Sequence, residues 1–386
     1  MKEIKENEYL RPFIKWAGGK EKELSYILPL LPKKITDYYE PFVGGGAVFF
    51  ALSNKKIAGT RFINDKSSEL ISLYKCIQVQ SKTFLTTLDR LNEKWMQIDT
   101  IVSDNKNSLL NIYKNVKKKG LENTDFKKII SDKYFDGIMS VHFCYDLEHL
   151  KKQLISSYSR KLSRVVKLEK ENGNFGDDNV LDNILTSFKS AFYTHFRYIY
   201  NEAKKDPLKY NIQECELSAI FYFIRQFCYA SMFRYNGSGN FNVPYGGMGY
   251  NKNDFGSKIE YLKSPKLFEY LRKTTISEND FENFISGYSL KASDFIFLDP
   301  PYDTEFSNYA QNEFGKQDQI RLASFLYNTK AKFMLVIKET PFIKSLYINH
   351  GFEIITFDKK YMVNFQNRND RNVKHLIIMN YKEKGN

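Results

Sequence analysis

The apolar run Phe295–Leu298 is followed at once by Asp299, Pro300, Pro301 and Tyr302. Four consecutive apolar residues predict a buried strand that ends at the acid. The two prolines stop the strand and stiffen the turn, because proline has no N–H to donate to a neighbouring strand. A carboxylate, a rigid carbonyl and an aromatic ring are thereby held at the carboxyl end of a strand, where open α/β sheets bind ligands. The pattern predicts an α/β chain with a site around Asp299.

Six other segments predict strands, and all of them lie near the two ends of the chain. They are Tyr38–Val43, Arg61–Asn64, Lys273–Ile276, Phe333–Ile337, Phe352–Phe357 and Lys374–Asn380. The helical spacing of apolar residues predicts helices over Ala47–Ser53, Ser67–Gln78 and Glu216–Phe233. A mostly parallel sheet interrupted by a mainly helical insertion explains this order best. We expect one domain to combine 1–80 with 270–386, and a second domain to occupy 81–269.

Residues 95–185 differ in composition from the rest, being rich in Lys, Asn, Asp and Ser. Turns are predicted at Lys117–Gly120 and Glu171–Asn174. The segment Val141–Val166 has the pattern of a basic amphipathic helix. A solvent-exposed helix face is the ordinary interpretation of such a pattern, and contact with DNA is the alternative.

Bulk composition limits the class of protein without deciding it. The formal net charge of +13 favours a polyanionic partner, although charge alone does not identify nucleic acid. The four cysteines lack the spacing of a zinc site or a disulfide framework, which indicates reduced thiols in a cytoplasmic protein, and no metal site is expected. The first six residues are too charged for a signal peptide, and no apolar run reaches the ~18 residues that span a membrane.

A glycine-rich turn over Glu40–Gly46 follows the first predicted strand. Glycines let a ligand approach the backbone closely. Asp65, which ends the next strand, lies 21 residues after Gly44, where an acid can hold ribose hydroxyls. This pairing suits a cofactor that contains adenosine, but NAD, FAD and S-adenosyl-L-methionine all remain open. A tight turn without a ligand is the alternative.

Two shorter segments are weaker candidates for the same ligand. Phe13–Lys20 places Trp16 between two lysines and beside two glycines, so that it can cover the charged tail of a cofactor. A single Trp is more often a packing residue. Asp280 and Phe281 follow another predicted strand and can hydrogen-bond to and stack on an adenine ring, or form a surface turn.

The loop Arg234–Gly247, rich in aromatic, amide and glycine residues, suits base recognition. Arg can bind guanine through two hydrogen bonds, and Asn can bind adenine in the same way. Tyr229 and Phe233, just before the loop, can stack on or wedge between bases. The alternative is a polar surface loop.

Asp299 and its neighbours suit the methylation of an exocyclic amine, which is a poor nucleophile because its lone pair is delocalised into the ring. The Asp299 carboxylate and the Pro300 carbonyl can accept its two N–H groups and so aim the lone pair at a sulfonium methyl group, while Tyr302 stacks on the base. Such a base must first leave the duplex. Catalysis then depends on positioning and electrostatics. A proline-stiffened turn without this function is the alternative.

Taken together, five motifs resemble those of the Dam-type, D12-class DNA adenine-N6 methyltransferases, and they occur in the family's order. They are FIKWAGGK (13–20), EPFVGGGAVF (40–49), IND (63–65), FRYNGSGNFNVPYG (233–246) and FLDPPY (297–302). The resemblance implies a Rossmann-like fold that binds S-adenosyl-L-methionine, with an inserted helical domain for target recognition. It covers about 1–80 and 186–386, and 95–185 matches no motif of the family.

The resemblance also implies roles for individual residues. The catalytic motif is Asp299, Pro300, Pro301 and Tyr302. Cofactor contacts are expected from Trp16, Lys20, Glu40, Pro41, Phe42, Gly44, Gly46, Asp65, Asp280, Phe281 and Asp299. DNA contacts are expected from Lys15, Tyr229, Arg234, Asn236, Asn242 and Pro244, of which Lys15 and Arg234 match positions that read guanines.

Three positions depart from the family's pattern. Ala230 and Ser231 stand where GATC-specific members usually carry Asn-Gly. The strand ending at Ile337 continues into Lys338–Thr340 rather than a short polar turn, and His375 lies in a segment where Glu-Leu-Leu is common. A GATC target therefore does not follow from the resemblance.

The expected function is S-adenosyl-L-methionine-dependent methylation of adenine N6 at a specific site in duplex DNA. Methylation of cytosine N4 or of an amide is one alternative, although those enzymes more often carry Ser or Asn at the position of Asp299. A non-catalytic DNA-binding module with the same fold is another. The expected partners are double-stranded DNA and a cognate restriction endonuclease, and the protein is expected to be monomeric and away from membranes.

Overall fold

The computed structural model describes residues 9–120, 145–302, 314–360 and 372–382. The chain divides into two compact units. Unit 1 combines Met1–Val79 with Ser264–Asn386, and unit 2 is Gln80–Lys263. Unit 2 is thus an insertion between two parts of unit 1.

Unit 1 is built on a seven-stranded sheet. Its strands are β1 (Tyr38–Glu40), β2 (Arg61–Asn64), β3 (Thr274–Ser277), β4 (Phe295–Leu298), β5 (Lys332–Lys338), β6 (Glu353–Lys360) and β7 (Asn372–Met379). They lie in the order β3-β2-β1-β4-β5-β7-β6. The first five are parallel, and β7 is antiparallel to both β5 and β6. The predicted α/β, Rossmann-like class is confirmed.

Each predicted strand is present, with small shifts at its ends. The first strand stops at Glu40, earlier than predicted, because Pro41 cannot donate a hydrogen bond to a neighbour. All four residues of β4 are buried, as expected for a parallel strand covered on both faces. The helices of unit 1 are Leu24–Ile27, Ala47–Ala51, Ser68–Gln78, Pro265–Arg272, Phe281–Ser286, Lys316–Asn328 and Pro341–Tyr347, with 3₁₀ turns at Leu28–Leu30 and Leu52–Asn54.

The strand order determines where a ligand can bind. The direction in which successive strands are added to the sheet reverses between β1 and β4, which are neighbours. In open parallel sheets the crevice at the carboxyl ends of the strands beside such a reversal is the usual ligand site. The loops after Glu40, Asn64, Ser277 and Leu298 all begin at this edge of the sheet.

Unit 2 is helical, as predicted for the middle of the chain. Its helices are Lys82–Asp104, Lys106–Lys119, Leu147–Asn172, Asp177–Lys205, Glu214–Phe227 and Phe255–Leu262, with 3₁₀ turns at Tyr229–Ser231 and Met248–Tyr250. Two of the helices end at the predicted turns, at Gly120 and Gly173. The basic amphipathic segment forms Leu147–Asn172, and its predicted start at 141–144 lies outside the described residues.

The helix predicted over Glu216–Phe233 is shorter than expected and ends at Phe227. Cys228 takes an extended conformation and forms an antiparallel bridge with Tyr245, which draws the backbone out of the helix. Tertiary pairing therefore overrides a helical pattern that continues along the sequence.

Trp95 lies at the centre of the aromatic core of unit 2. Its ring contacts those of Phe192, Phe223, Phe227 and Tyr245. The buried Lys189 ammonium lies over this indole, 4.8 Å from its centroid, and pairs with Asp99 at 2.8 Å.

The described part of the chain lacks two kinds of feature. None of its helices combines the length and the apolar character needed to cross a bilayer. It also contains no group of three His, Cys, Asp or Glu side chains able to hold a metal ion.

Candidate functional site

The glycine-rich turn after β1 requires glycine at two positions. Gly44 and Gly46 have φ of +48° and +74°, a region that side chains disfavour. A Cβ at Gly44 would lie 2.9 Å from Cδ1 of Trp16, and one at Gly46 would lie 2.6 Å from the Tyr74 hydroxyl. The Trp16 ring therefore packs directly on the turn, which brings two of the predicted cofactor segments together.

Asp65 holds this turn from the end of β2. Its Oδ2 accepts the Gly44 N–H at 2.9 Å and its Oδ1 accepts the Ser67 N–H at 3.0 Å. Burial raises the pKa of Asp65 above its usual range, although the backbone donors at Ser67, Gly44 and Lys66 oppose that rise. Because each carboxylate oxygen can accept a second hydrogen bond, Asp65 can still receive a hydroxyl.

Asn64, which was not predicted as a site residue, connects three strand ends. Its Nδ2 donates to the Pro41 carbonyl at 3.0 Å and to the Asn279 carbonyl at 2.9 Å, while its Oδ1 accepts the Asn279 N–H at 2.9 Å. The side chain is buried. It therefore fixes the glycine-rich turn and the segment leading to Asp280 relative to β2. Its place in the middle of the IND motif (63–65) was the available sequence signal.

Glu40 is a buried acid at the end of β1. Its Oε2 accepts the Tyr38 hydroxyl at 2.6 Å. Burial raises the pKa of Glu40 well above its usual range, the Tyr38 hydrogen bond opposes this, and the charges of Asp299 and Asp65 raise the pKa further. The carboxyl groups of Asp299 and Asp65 therefore lie close enough to Glu40 to favour its neutral form.

Asp299 is held by a lysine from the N-terminal loop. Lys20 Nζ forms an ion pair with Asp299 Oδ1, and it also donates to the Gly18 carbonyl at 2.9 Å and the Tyr302 hydroxyl at 3.2 Å. His375 of β7 is buried, and its Nε2 lies 3.3 Å from the same hydroxyl. Four polar groups from three parts of unit 1 are therefore joined around the predicted catalytic motif.

The turn after Asp299 is also fixed from outside the motif. Gln319, fully buried on the helix Lys316–Asn328, donates from Nε2 to the Pro301 carbonyl at 2.9 Å. Pro300 is buried, whereas Tyr302 is half-buried and keeps part of its ring exposed.

Asp280 and Phe281 lie after β3, but both already have partners. Asp280 Oδ1 accepts the Glu282 N–H at 3.0 Å, and both carboxylate oxygens lie 3.2 Å from the Arg321 guanidinium. Partial burial alone raises the pKa of Asp280, but Arg321 and the Glu282 amide outweigh it and hold that pKa below its usual range. Phe281 is 3% exposed and packs against the half-buried Phe42. Phe42 thus presents more ring surface than Phe281.

In unit 2 the predicted base-reading residues form a small hairpin. Tyr235 bridges Phe241 across it, and Asn201 secures it by exchanging two hydrogen bonds with the Phe241 backbone, at 2.8 and 2.9 Å. Arg234 donates from Nε to Asn242 Oδ1 at 2.9 Å and from Nη2 to the Asn242 carbonyl at 3.3 Å.

Asn236 has a structural role in this hairpin. Its Oδ1 accepts the N–H groups of Ser238 and Asn240 at 3.1 and 3.0 Å, so the amide holds the turn closed.

Tyr229 lies at an unusual turn in the same unit. The ring is 50% exposed, and the Tyr229 N–H donates to the Pro244 carbonyl at 2.8 Å. Ala230 and Ser231 have φ of +52° and +51°, and the Met232 N–H donates to the Tyr229 carbonyl at 3.1 Å. Positive φ at both central residues is the type I′ turn, for which Asn-Gly is preferred. Ala230 and Ser231, which replace the usual Asn-Gly pair, thus occupy a turn whose backbone conformation favours Asn-Gly.

The structure divides the predicted residues between the two units. The predicted catalytic and cofactor residues lie in unit 1 together with Lys15, which is exposed. Tyr229, Arg234, Asn236, Asn242 and Pro244 lie in unit 2.

A family model described as D12 class N6 adenine-specific DNA methyltransferase matches residues 16–363. The chain belongs to this family. Membership confirms the resemblance seen in the motifs. As a D12-class enzyme, the protein transfers a methyl group from a donor to adenine N6 at specific sites in DNA. The family assignment favours adenine N6 over the cytosine N4 and amide groups that Asp299 alone left open, and an enzyme over a non-catalytic module.

Individual relatives match this chain over most of their length. The chain is 24% identical to Type II methyltransferase M.CviBI of Paramecium bursaria Chlorella virus NC1A, over 96% of this chain and 100% of the relative. It is 28% identical to Type II methyltransferase M.MjaIII of Methanocaldococcus jannaschii, over 96% and 99% respectively. It is 22% identical to the DNA adenine methylase of Haemophilus influenzae, over 96% and 93% respectively.

Proposed function

We propose that the methyl donor is S-adenosyl-L-methionine and that it binds at the carboxyl ends of β1 and β2. The positive φ of Gly44 and Gly46 requires glycine at both positions. Because glycine has no side chain, a ligand can approach the backbone of this turn closely. Asp65 would accept the ribose hydroxyls, and Trp16 would cover the ligand.

Other predicted contacts fit this placement less directly. Lys20 is already bonded to Asp299, so its main effect on the ligand would be through that carboxylate. Asp280 is bonded to Arg321, and Phe281 is buried. We propose that Phe42, with its half-buried ring, contacts the adenine together with an edge of Phe281.

In the proposed mechanism Asp299 and Pro300 orient the target amine. The bound donor supplies an electrophilic methyl group. A carboxylate oxygen of Asp299 and the Pro300 carbonyl would accept the two N6–H groups, direct the nitrogen lone pair outward and stabilise the positive charge that develops on N6. Once the methyl group has moved to N6, one of the two N6 protons leaves to solvent and the neutral product remains. Lys20 holds the carboxylate in place, and Tyr302 stacks on the flipped base. The observation that carries the mechanism is the ion pair between the buried Lys20 and the partly exposed Asp299 at the end of β4.

We propose that unit 2 recognises the target sequence and that unit 1 is catalytic. Asn242 holds Arg234 at Nε and Nη2, so the guanidinium is oriented in advance to read a guanine with its other donors. The DNA would also be contacted by Asn236, Asn242 and Pro244. Lys15 would contribute a second guanine contact. The exposed Tyr229 ring would enter the duplex near the target.

Some partners and properties are proposed from the relatives. Two of them are named type II methyltransferases, which supports a restriction-modification system with a cognate endonuclease. We propose a cytoplasmic enzyme that is monomeric when free.

One experiment tests activity, site and mechanism together. Purified protein is incubated with S-adenosyl-L-methionine and mixed-sequence DNA, and N6-methyladenine is mapped by sequencing. Wild type should methylate one short sequence. Asp299→Asn should lower turnover by at least about 100-fold, because it removes the charge that supports N6. Asn is preferable to Ala here, since it keeps an acceptor for the buried Lys20 ammonium.

The matched control is Asp89→Asn, which removes an ion-paired carboxylate on unit 2, far along the chain from the motif. It should leave turnover unchanged. Near-normal turnover of Asp299→Asn would remove this carboxylate from the mechanism. Methylation of cytosine by wild type would contradict the adenine assignment.

A further inference from the structure

The helix Leu147–Asn172 carries an unusual run of charge. Residues 149–168 contain six Lys and Arg but no Asp or Glu. A helix that is merely solvated normally mixes both signs along its exposed face, because opposite charges four residues apart stabilise it and like charges destabilise it. Arg160 and Arg164 are such a like-charged pair.

One side of this helix is buried and the other is exposed. The buried side, which includes Leu150, Leu154, Tyr158, Leu162 and Val165, packs against the helix Asp177–Lys205. The basic face, as we define it, lies on the exposed side and consists of Lys152, Ser156, Arg160, Ser163, Arg164 and Lys167. At 1.5 Å per residue it is about 22 Å long.

The basic face has few anionic partners within unit 2. In the described part of the chain no carboxylate lies within 4.0 Å of Lys152, Arg160 or Arg164, and Lys167 meets Glu171 only at that limit. Arg160 Nη2 donates instead to the Ser156 hydroxyl at 3.3 Å.

The neighbouring Lys161 feels the same crowding. Burial lowers the pKa of Lys161, and the positive charge of Arg164 lowers it further. Among the residues that the structure describes, Lys152, Arg160 and Arg164 therefore lie on one helix without a carboxylate within 4.0 Å, whereas Lys151 and Lys167 each have one. An anionic partner would compensate these three charges.

We propose that the basic face binds phosphate groups of the substrate DNA, outside the bases that are read. Guanidinium groups bind phosphate through two parallel hydrogen bonds. The Ser156 hydroxyl, which accepts from Arg160, can also donate to a phosphate oxygen, whereas the Ser163 hydroxyl donates to the Ser159 carbonyl at 2.9 Å. Duplex DNA presents one charge per ~1.7 Å of axis, so a face of this length can meet several phosphates. The inference relies on DNA as the family's substrate.

The packing of the helices gives the face a direction. His149 lies 3.0 Å from His195, and Tyr158 contacts Phe188, so the two helices run antiparallel. The hairpin is attached further along the second helix, at Asn201. The basic face therefore extends along the helix away from the point where the hairpin is attached. This direction suits contacts to DNA on one side of the bases that the hairpin would read.

The salt dependence of DNA binding tests this proposal. Binding of a 30-base-pair duplex of mixed sequence is measured by fluorescence anisotropy at several KCl concentrations for wild type and for Arg160→Gln/Arg164→Gln. Each lost phosphate contact lowers the slope of log K against log salt by about 0.9. The ratio of the wild-type binding constant to that of the variant should therefore fall about 12-fold between about 50 and 200 mM salt, since two contacts are lost.

The matched control is Lys263→Gln/Arg272→Gln, which removes the same net charge from two cations that already have carboxylate partners. It should keep the wild-type slope. A wild-type slope in Arg160→Gln/Arg164→Gln, or an equally reduced slope in the control, would overturn the proposal. The turnover of Arg160→Gln/Arg164→Gln at saturating DNA should match that of wild type. A loss of turnover in this variant with an unchanged salt slope would also count against the proposal.

Discussion

Asn64 shows how one buried amide can organise a site. Two donors and one acceptor of its side chain are bonded to backbone atoms of two other loops. Backbone groups at strand ends have no ladder partner, so a side chain that satisfies them sets the geometry of the loops. Asn64 is thus a positioning residue for the proposed cofactor site.

Asn64→Asp tests this role. The change keeps the size of the side chain but replaces two donors by acceptors facing the carbonyls of Pro41 and Asn279. We expect the free energy of unfolding to fall by about 2–4 kcal/mol in urea denaturation. The KM for S-adenosyl-L-methionine should rise more than kcat falls, since the turn is displaced while Asp299 is not.

Asn279→Ala is the control for that prediction. Asn279 is exposed and contributes only its backbone to these hydrogen bonds, so its stability and KM should stay at wild-type values. Equal effects of the two substitutions would show that the Asn64 side chain does not act through these bonds.

The turn Tyr229–Met232 is strained by its residue types. Non-glycine residues in the left-handed region each cost about 1–2 kcal/mol, and this turn has two of them side by side. Ala230 also donates its N–H to the Tyr250 hydroxyl at 2.9 Å, which helps to hold the conformation.

Replacing the pair by Ala230→Asn/Ser231→Gly should stabilise the protein by about 1 kcal/mol, because Asn-Gly suits a type I′ turn and offsets the added flexibility of glycine. Thermal unfolding measures the change. Gly237→Ala, at a hairpin glycine with open space around it, is a control that should not stabilise the protein in this way. An unchanged or lower unfolding temperature in the double variant would show that Ala230 and Ser231 do not strain this turn.

Two histidines join the helices Leu147–Asn172 and Asp177–Lys205. The Nδ1 atoms of His149 and His195 are 3.0 Å apart, so one ring must donate and the other accept. Burial lowers the pKa of His149. Among nearby charges, Asp146 and Glu202 raise that pKa, whereas Lys152 and Lys209 lower it.

The lowered pKa of the partly buried His149 predicts that the stability of unit 2 depends on pH. A depressed folded-state pKa means that the unfolded chain takes up protons first, so stability falls as pH drops below about 6.5. We expect wild type to lose on the order of 0.5 kcal/mol more than His149→Gln between about pH 7.5 and 5.5, as solvent screens a half-buried ring. Urea unfolding at several pH values measures this. Identical pH profiles for both proteins would remove His149 as the source.

Cofactor binding connects unit 1 to the stability of the protein. A ligand that binds only the folded state at 100 times its Kd stabilises that state by about 2.7 kcal/mol. For a unit of this size, S-adenosyl-L-methionine should therefore raise the unfolding temperature by about 5–10 °C. The ligand-dependent part of the shift should disappear in Asp65→Ala, whatever the stability of that variant alone.

Calorimetry with and without ligand measures this shift. Asp254→Ala serves as the comparison, because it likewise removes an acid that accepts backbone and side-chain hydrogen bonds, but in unit 2. It should retain the full ligand-dependent shift. A full shift in Asp65→Ala would exclude Asp65 from the binding of the donor.

Much of the fold follows from local sequence. The apolar run closed by Asp299 and the short segment ending before Asp65 predict two strands of the sheet correctly, whereas the end of the first strand at Glu40 was predicted three residues too late. The order of the strand candidates around a polar middle predicts an inserted helical unit. Five motifs in a fixed order were sufficient to identify the family that the comparison confirms. These features are readable because strand, turn and proline preferences act over a few neighbouring residues.

The arrangement around the site depends on residues that are distant in the chain. Lys20 and Asp299 are 279 residues apart, and Tyr302 and His375 are 73 apart. No local pattern marks Arg321 as the partner of Asp280 or Gln319 as the support of the Pro301 carbonyl, and none places β7 between β5 and β6. Folding brings such groups together because buried polar atoms must find hydrogen-bond partners wherever the packed sheet offers them. The sequence therefore determines the strand ends and the chemical groups they carry, while tertiary packing determines which groups meet.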